Sequence, residues 1–365
     1  MKITKVKIEK FSAPLKEPFR VAFGVIEDAD SWTVKIETDE GIYGLGSAAP
    51  LAFVTGETMD TCYIVMKMFA DAFIGFDPMD IAGAHKLMDS IIYSNGAAKC
   101  AFDLALYDII GKKKGLPVYK VLGGTNPVVH NDITIGINAP EKMEADAKEY
   151  VFEKGFRILK VKTGLDLATD IRALTLIRNA VGPDVRIRID ANQAWNAKQA
   201  VRILDQMQEK GLDIEFVEQP VPAADLEGMQ YVTRNASVPV LADESVFSPA
   251  DALRIMQTGA ADFVNIKLMK CGGITNALRI AAAAEVYGVE CMIGCMLEAK
   301  ISVNAAVELA CAKKIITKID LDGPVLCSED HILGGAVFNE KNITVSDAPG
   351  MGIQGFVPGK VSYLD

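Results

Sequence analysis

Between residues 130 and 324, short β-branched runs alternate with amphipathic stretches at a nearly constant interval. This interval restricts the fold of the 365-residue chain more than any other feature. A polar residue stands near the end of each of the first six runs: Thr134, Lys162, Asp190, Glu218, Asp243 and Lys267. Subtracting successive numbers gives steps of 28, 28, 28, 25 and 24 residues. Another 53 residues lead to Asp320, room for two more units. A strand with its crossover helix fills about one such period, and eight units close into a barrel of parallel strands. The stretches between suit an outer ring of helices, since residues 198–211 carry apolar side chains three and four apart.

The flanks read differently. Residues 1–13 alternate as a strand, and residues 31–48 form a hairpin turned at Asp39, Glu40 and Gly41. Three helical stretches follow, the clearest over 95–115, where a lysine run precedes a terminating glycine. Strands followed by helices make an α+β domain. The expected division is a capping domain over 1–125, a TIM-like barrel over 126–324, and a tail over 325–365 that packs back on the cap.

A formal net charge of -10 without a basic cluster argues against a nucleic-acid partner. No apolar stretch has the length of a signal peptide or membrane span, so no membrane partner and a cytoplasmic location are expected. The seven cysteines are an odd set without a Cys-x-x-Cys pair, which suits reduced thiols in a core. With three separated histidines, His85, His130 and His331, proton chemistry must rest on other residue types.

The C-terminal strand ends of such a barrel form its active face. Three consecutive strands end there in acids: Asp190, Glu218 and Asp243. Each alone could cap the helix that follows. Together they would repel one another unless a cation neutralised them, and an all-oxygen set favours Mg²⁺ over Zn²⁺. One Mg²⁺ per subunit is the expectation.

Lysines flank the acids. Lys160 and Lys162 share one face of the second strand, and Lys267 arrives on the sixth, across the barrel. Two bases facing each other over a carboxylate substrate can remove an α-proton on one side and return one on the other, as a racemase or epimerase does. The enediolate dianion is the barrier, and Lys160 is placed as the ammonium that stabilises it with the metal.

Lys160-Val161-Lys162, Asp190-Ala191-Asn192, Glu218-Gln219-Pro220, Asp243-Glu244-Ser245 and Asn265-Ile266-Lys267 together resemble the muconate-lactonizing subgroup of the enolase superfamily. The resemblance implies an α/β fold, a modified (β/α)7β-like barrel whose α+β cap is completed by the tail. Asp320-Leu321-Asp322 is similar to the Asp-x-Asp of dipeptide epimerases, whose carboxylates hold the substrate's α-ammonium; a simple turn before Gly323-Pro324 is the other reading. Thr134 and the segment Cys295-Met296-Leu297-Glu298 are similar to positions that line the dipeptide. In the family, the segment over residues 18–25 is a loop closing over substrate. Epimerases acting on Ala-Glu carry an arginine where Gly24 stands here. Arg20 could reach in its place, but Phe19, Phe23 and Val25 point to an apolar lid and a hydrophobic dipeptide.

Other readings stay open. The same lysines and acids would serve an o-succinylbenzoate synthase or a cycloisomerase, a late barrel lysine could form a Schiff base in an aldolase, and a barrel can be a mere binding scaffold. A homo-oligomer is compatible with the sequence. Lys270-Cys271-Gly272-Gly273 reads as a tight turn or as a phosphate-cradling loop. Gly44 and Gly46 lack the following helix of a nucleotide fingerprint.

Overall fold

The computed structural model describes residues 1–21 and 24–358; Ala22, the lid residue Phe23 and residues 359–365 of the tail lie outside the described residues. The chain begins with an antiparallel sheet, Ile3–Val21, Gly24–Thr38 and Tyr43–Ala48 in that order. The helix expected over 95–115 is Gly96–Lys114, closed by Gly115 at φ 66, whose N–H donates to the Gly111 and Lys112 carbonyls. It is buried on every side from Ala97 to Gly111 and so forms the centre of the cap. Its closeness to the sheet explains Gly44 and Gly46: a Cβ there would stand 2.0 Å from the Ala105 oxygen and 1.9 Å from the Ala101 oxygen.

Of the segment expected to be a loop, residues 18–21 and 24–25 lie in strands. The first two strands continue as a ribbon beyond a register shift between Pro14 and Phe19, pairing Phe19 with Ile26, Arg20 with Val25 and Val21 with Gly24. Pro14 and Pro18 interrupt the alternation, which makes the sequence look irregular. The Ile137 N–H donates to the Arg20 carbonyl at 3.1 Å and docks the ribbon on the barrel.

Eight parallel strands follow in sequence order: Ile133–Ile135, Ile158–Lys162, Arg186–Asp190, Ile214–Glu218, Val240–Ala242, Phe263–Lys267, Cys291–Gly294 and Ile316–Asp320. Each of the first seven leads into a full helix, while the eighth is followed only by the turn Gly323–Leu326. The barrel is nearly closed. At its seam the Leu321 N–H donates to Asn131 Oδ1 at 2.8 Å, and Arg188 pairs with Asp132 at 2.7 Å.

The run over 130–138 divides into two elements. Val128–His130 pairs antiparallel with Asn342–Thr344 of the tail, and Ile133–Ile135 alone enters the barrel. Buried Asn131 and Asp132 turn the chain between the sheets and spend their side chains on the seam. The tail also meets the first strand: the Phe11 ring centroid lies 5.7 Å from His331 and 5.9 Å from Phe356, and the Ser328 N–H donates to the Pro14 carbonyl. All seven cysteines are free. Among the described residues no helix is long and apolar enough to cross a membrane.

Candidate active site

Parallel pairing sets the strand ends side by side. Lys162 is the register partner of Asp190, Asp190 of Glu218, and Gly294 of both Lys267 and Asp320. Above them lies a cavity of about 70 Å³, lined by Thr134, Lys160, Lys162, Asn192, Asp243, Glu244, Lys267, Asp320 and Asp322, with Met296 at the side. The second and sixth strands of eight are opposite, so Lys162 and Lys267 enter from opposite sides. The lid is apolar: Phe19 and Ile26 from the ribbon, Leu51 and Val54 from the cap, Leu297 and Leu326 from the barrel.

Lys160 is the electrostatic hub, with its ammonium 2.7 Å from Glu218, 2.7 Å from Asp320 and 3.2 Å from Asp190. Burial alone would lower its pKa, but Asp320, Glu218 and Asp190 outweigh burial and raise it well above the usual lysine value. Lys162 pairs with Asp190 at 2.6 Å and also donates to Asn192 Oδ1. Lys267 pairs with Asp243 at 2.8 Å. Burial opposes the charge of Asp243 as well, yet Lys267 and Lys270 hold its carboxyl well below the usual range. Glu218 behaves in the opposite way: burial, then Asp190, push it up to about 8. Its Oε1 accepts from Asn265 at 2.8 Å, whereas Oε2 lies near Lys160 without hydrogen-bond alignment.

The turns beyond the acids are strained. Asn192, Gln193 and Gln219 have φ of 42, 69 and 36, a region non-glycine residues seldom occupy. Side chains hold them there: Gln219 Oε1 accepts from the Asp243 and Ser245 N–H groups, and Asn192 Nδ2 donates to Glu244.

Asp190, Glu218 and Asp243 each face a lysine, and among the described residues no three His, Cys, Asp or Glu side chains converge in ligating geometry. Their chemistry nevertheless fits a hard cation. Among the described residues, the buried acids Asp190, Glu218, Asp243, Glu244, Asp320 and Asp322 outnumber by two the buried lysines beside them, Lys160, Lys162, Lys267 and Lys270, while the adjoining Asp132 is balanced by Arg188; two is the charge of one divalent ion. Glu218 at about 8 and Glu244 at about 7, both raised first by burial and then by a neighbouring acid, report that excess.

Two residues expected at the site stand outside the lining of this cavity. Glu298 does not line the cavity, because Oε1 accepts from the Met296 N–H at 2.8 Å and Oε2 from the Ser302 hydroxyl, so it shapes the loop that presents Met296. Gly24 sits in the ribbon outside the lining, with Phe53 the nearest side chain to a Cβ built there. Arg20 is exposed and lines neighbouring grooves instead. His85 is buried 2.6 Å from Asp103, away from the cavity. Asn192, Glu244 and Lys270 stood in the motifs quoted from the sequence without a role at the site, and the lid residues Ile26, Leu51, Val54 and Leu326 escaped the sequence reading. The apolar run beyond Pro50, which follows no helical or strand period, was the one available signal for Leu51 and Val54.

Residues 3–123 match the family described as mandelate racemase / muconate lactonizing enzyme, N-terminal domain, and residues 142–355 match the family described as enolase C-terminal domain-like. The chain is 49% identical over 356 residues to an L-Ala-D/L-Glu epimerase of Clostridium acetobutylicum, covering 97% of this chain and 99% of that protein. It is 44% identical over 355 residues to a hydrophobic dipeptide epimerase of Enterococcus faecalis, with coverage of 97% and 99%. The crystal structure of the dipeptide epimerase from Enterococcus faecalis V583, complexed with Mg and the dipeptide L-Leu-L-Tyr, superposes with a TM-score of 0.94 at 44% identity, covering 97% of this chain and 99% of that one.

Proposed function

Because the chain belongs to the enolase superfamily and is an isomerase, we propose that it epimerises dipeptides, inverting the α-carbon of the C-terminal residue by proton transfer between two lysines. The observation that carries this reading is the placement of Lys162 and Lys267 on opposite walls of one cavity whose floor is acidic. An α-proton beside a carboxylate can leave toward one ammonium-forming base while the other delivers a proton to the opposite face.

Asp190, Glu218 and Asp243 would hold Mg²⁺, which supplies positive charge for the substrate carboxylate and for the dianion that forms when the α-proton leaves. The Lys160 ammonium, kept protonated by three acids, stabilises the same charge. Asp320 and Asp322 receive the free α-ammonium of the dipeptide. Thr134 keeps Asp322 in place, its N–H donating to Oδ2 at 2.7 Å. The apolar lid suits a hydrophobic side chain on the epimerised residue. A Schiff-base aldolase would use a lysine amine but would leave the three buried acids at the strand ends, Asp190, Glu218 and Asp243, without a role.

The test is a library of L,L-dipeptides incubated with the enzyme and Mg²⁺ in D₂O and read by mass and chirality. Deuterium at the C-terminal α-carbon with appearance of the L,D epimer is expected; no exchange from any dipeptide would sink the reading.

A further inference from the structure

Lys270 has no part in the scheme above, yet its side chain is completely buried against the strand ends that carry the chemistry. It stands three residues beyond Lys267, on the single helical turn Leu268–Cys271, which aims it back beneath Asp243. An ammonium has three donors, and each has an acceptor here: Asp243 Oδ1 at 2.5 Å, the Asp243 carbonyl, and the Asn265 carbonyl at 3.2 Å. The two ends of the same carboxylate are therefore divided, Oδ1 going to Lys270 below and Oδ2 to Lys267 at the cavity. The turn is itself gripped by the cap. The Ala49 N–H contacts Met269 Sδ at 3.2 Å, and a Cβ on Gly96 would come within 2.5 Å of the Lys270 carbonyl oxygen. A phosphate-cradling loop would need this lysine and the adjoining N–H groups open to a ligand, and the burial of Lys270 rules that reading out.

We propose that Lys270 is a positioning residue that fixes the rotamer of Asp243, so that one oxygen alone is presented to a divalent cation and to Lys267. The proposal rests on the reading of Asp243 as a cation ligand and of Lys267 as a base. Without the buried ammonium, Oδ1 loses its anchor and the carboxylate is free to turn, which weakens the cation site and displaces the partner of Lys267 while leaving Lys162 with its own partner Asp190.

The experiment measures Mg²⁺ affinity by calorimetry on metal-stripped protein and α-proton exchange in D₂O for each epimer, in the unsubstituted enzyme, Lys270→Met and Lys270→Arg. Lys270→Met is expected to bind Mg²⁺ about ten- to a hundredfold more weakly, the usual effect of removing a group that orients a metal ligand. At saturating Mg²⁺, exchange on the Lys267 face should fall at least about tenfold relative to the Lys162 face. Lys270→Arg keeps the charge without the three-acceptor geometry and should bind Mg²⁺ with intermediate affinity; it carries the test alone if the methionine variant does not fold. Unchanged Mg²⁺ affinity in a folded variant, or equal loss on both faces at saturation, overturns the proposal. Absence of Mg²⁺ binding or of exchange in the unsubstituted enzyme marks failure of the underlying functional reading and takes this proposal with it.

Discussion

Asp190 and Glu218 are register partners on adjacent parallel strands, so two buried carboxylates leave neighbouring strand ends side by side. The opposite directions of their pKa shifts follow from what stands next to them. Asp190, though burial opposes it, lies between Lys162 and Lys160 and stays below the usual carboxyl range; Glu218 has an unaligned share of Lys160 and rises.

The first prediction follows from that charge excess. Mg²⁺ should stabilise the unsubstituted protein against heat, by about 2.7 kcal/mol at a hundredfold excess over Kd. Asp190→Asn, Glu218→Gln and Asp243→Asn should each lose most of this shift and at least about a thousandfold in kcat, while still melting cooperatively. Melting curves in EDTA and in Mg²⁺ check it; near-normal turnover by Asp243→Asn without added metal would refute the ligand assignment.

The lysines should divide the faces of the substrate. Lys267→Ala is expected to reduce epimerisation by about 10² to 10⁴, yet to keep exchange of the proton facing Lys162; Lys162→Ala should do the reverse. Proton NMR in D₂O with each epimer separately distinguishes the outcomes, and loss of exchange from both epimers in both variants would count against two bases.

The strand ends were legible because a βα repeat places functionally equivalent positions about one period apart, so Lys162, Asp190, Glu218, Asp243, Lys267 and Asp320 could be located without coordinates. Lys270 was not, since its partners Asp243 and Asn265 come together only when the Leu268–Cys271 turn packs under the cap. The pairing of residues 19–21 with 24–26 was obscured by Pro14 and Pro18, which break the period-two pattern although pairing resumes at Phe19. Glu298 bonds to its own loop, and an acid beside a strand end looks the same in sequence whether it faces a ligand or that loop. The split at Asn131 depended on tail residues more than 200 positions away.

Asp320 and Asp322 should require a free amino terminus. N-acetylation of a good dipeptide should reduce kcat/KM about 10- to 100-fold, the equivalent of about 1.5–3 kcal/mol for a charged hydrogen bond. Burial and the adjacent Asp320 push Asp322 up to about 6, so its charge is lost as pH falls through that value. KM should accordingly rise below about pH 6, and Asp322→Asn should remove that rise. Robust turnover of acetylated substrate would move the reading to another member of the subgroup.

Away from the site, Glu308 should make stability depend on pH. Its Oε2 accepts from the Tyr119 N–H at 2.6 Å, its Oε1 is buried without a partner, and burial pushes its pKa up to about 8. The folded chain then holds a proton that the unfolded chain releases near 4.5, so stability falls as pH rises from about 4.5 to about 8 and levels off above. Glu308→Gln keeps the acceptor for Tyr119 without the charge and should be more stable than the parent at pH 8 by about 1–3 kcal/mol. Denaturant melts of both proteins at pH 5 and pH 8 decide; an identical pH slope would refute it.

The last prediction concerns the side chain at the epimerised carbon. A glutamate there needs a cation, and among the described cavity residues Lys160, Lys162 and Lys267 are all paired with acids. Gly24 brings no side chain, and Arg20 is exposed with its carbonyl tied to Ile137, outside the cavity lining. What faces the substrate from the lid is Phe19, Ile26, Leu51, Val54, Leu297 and Leu326. Lacking an arginine partner, a glutamate side chain forgoes about 1.5–3 kcal/mol, enough to shift preference by more than tenfold, while an apolar side chain gains about 25 cal/mol per Å² buried under that lid. L,L-dipeptides ending in Leu, Met, Phe or Tyr should therefore lead the library in kcat/KM, and Gly24→Arg should move the ranking toward Ala-Glu. Ala-Glu emerging with the highest kcat/KM in the unsubstituted enzyme would defeat the proposal, because no described cation in the cavity could then account for it.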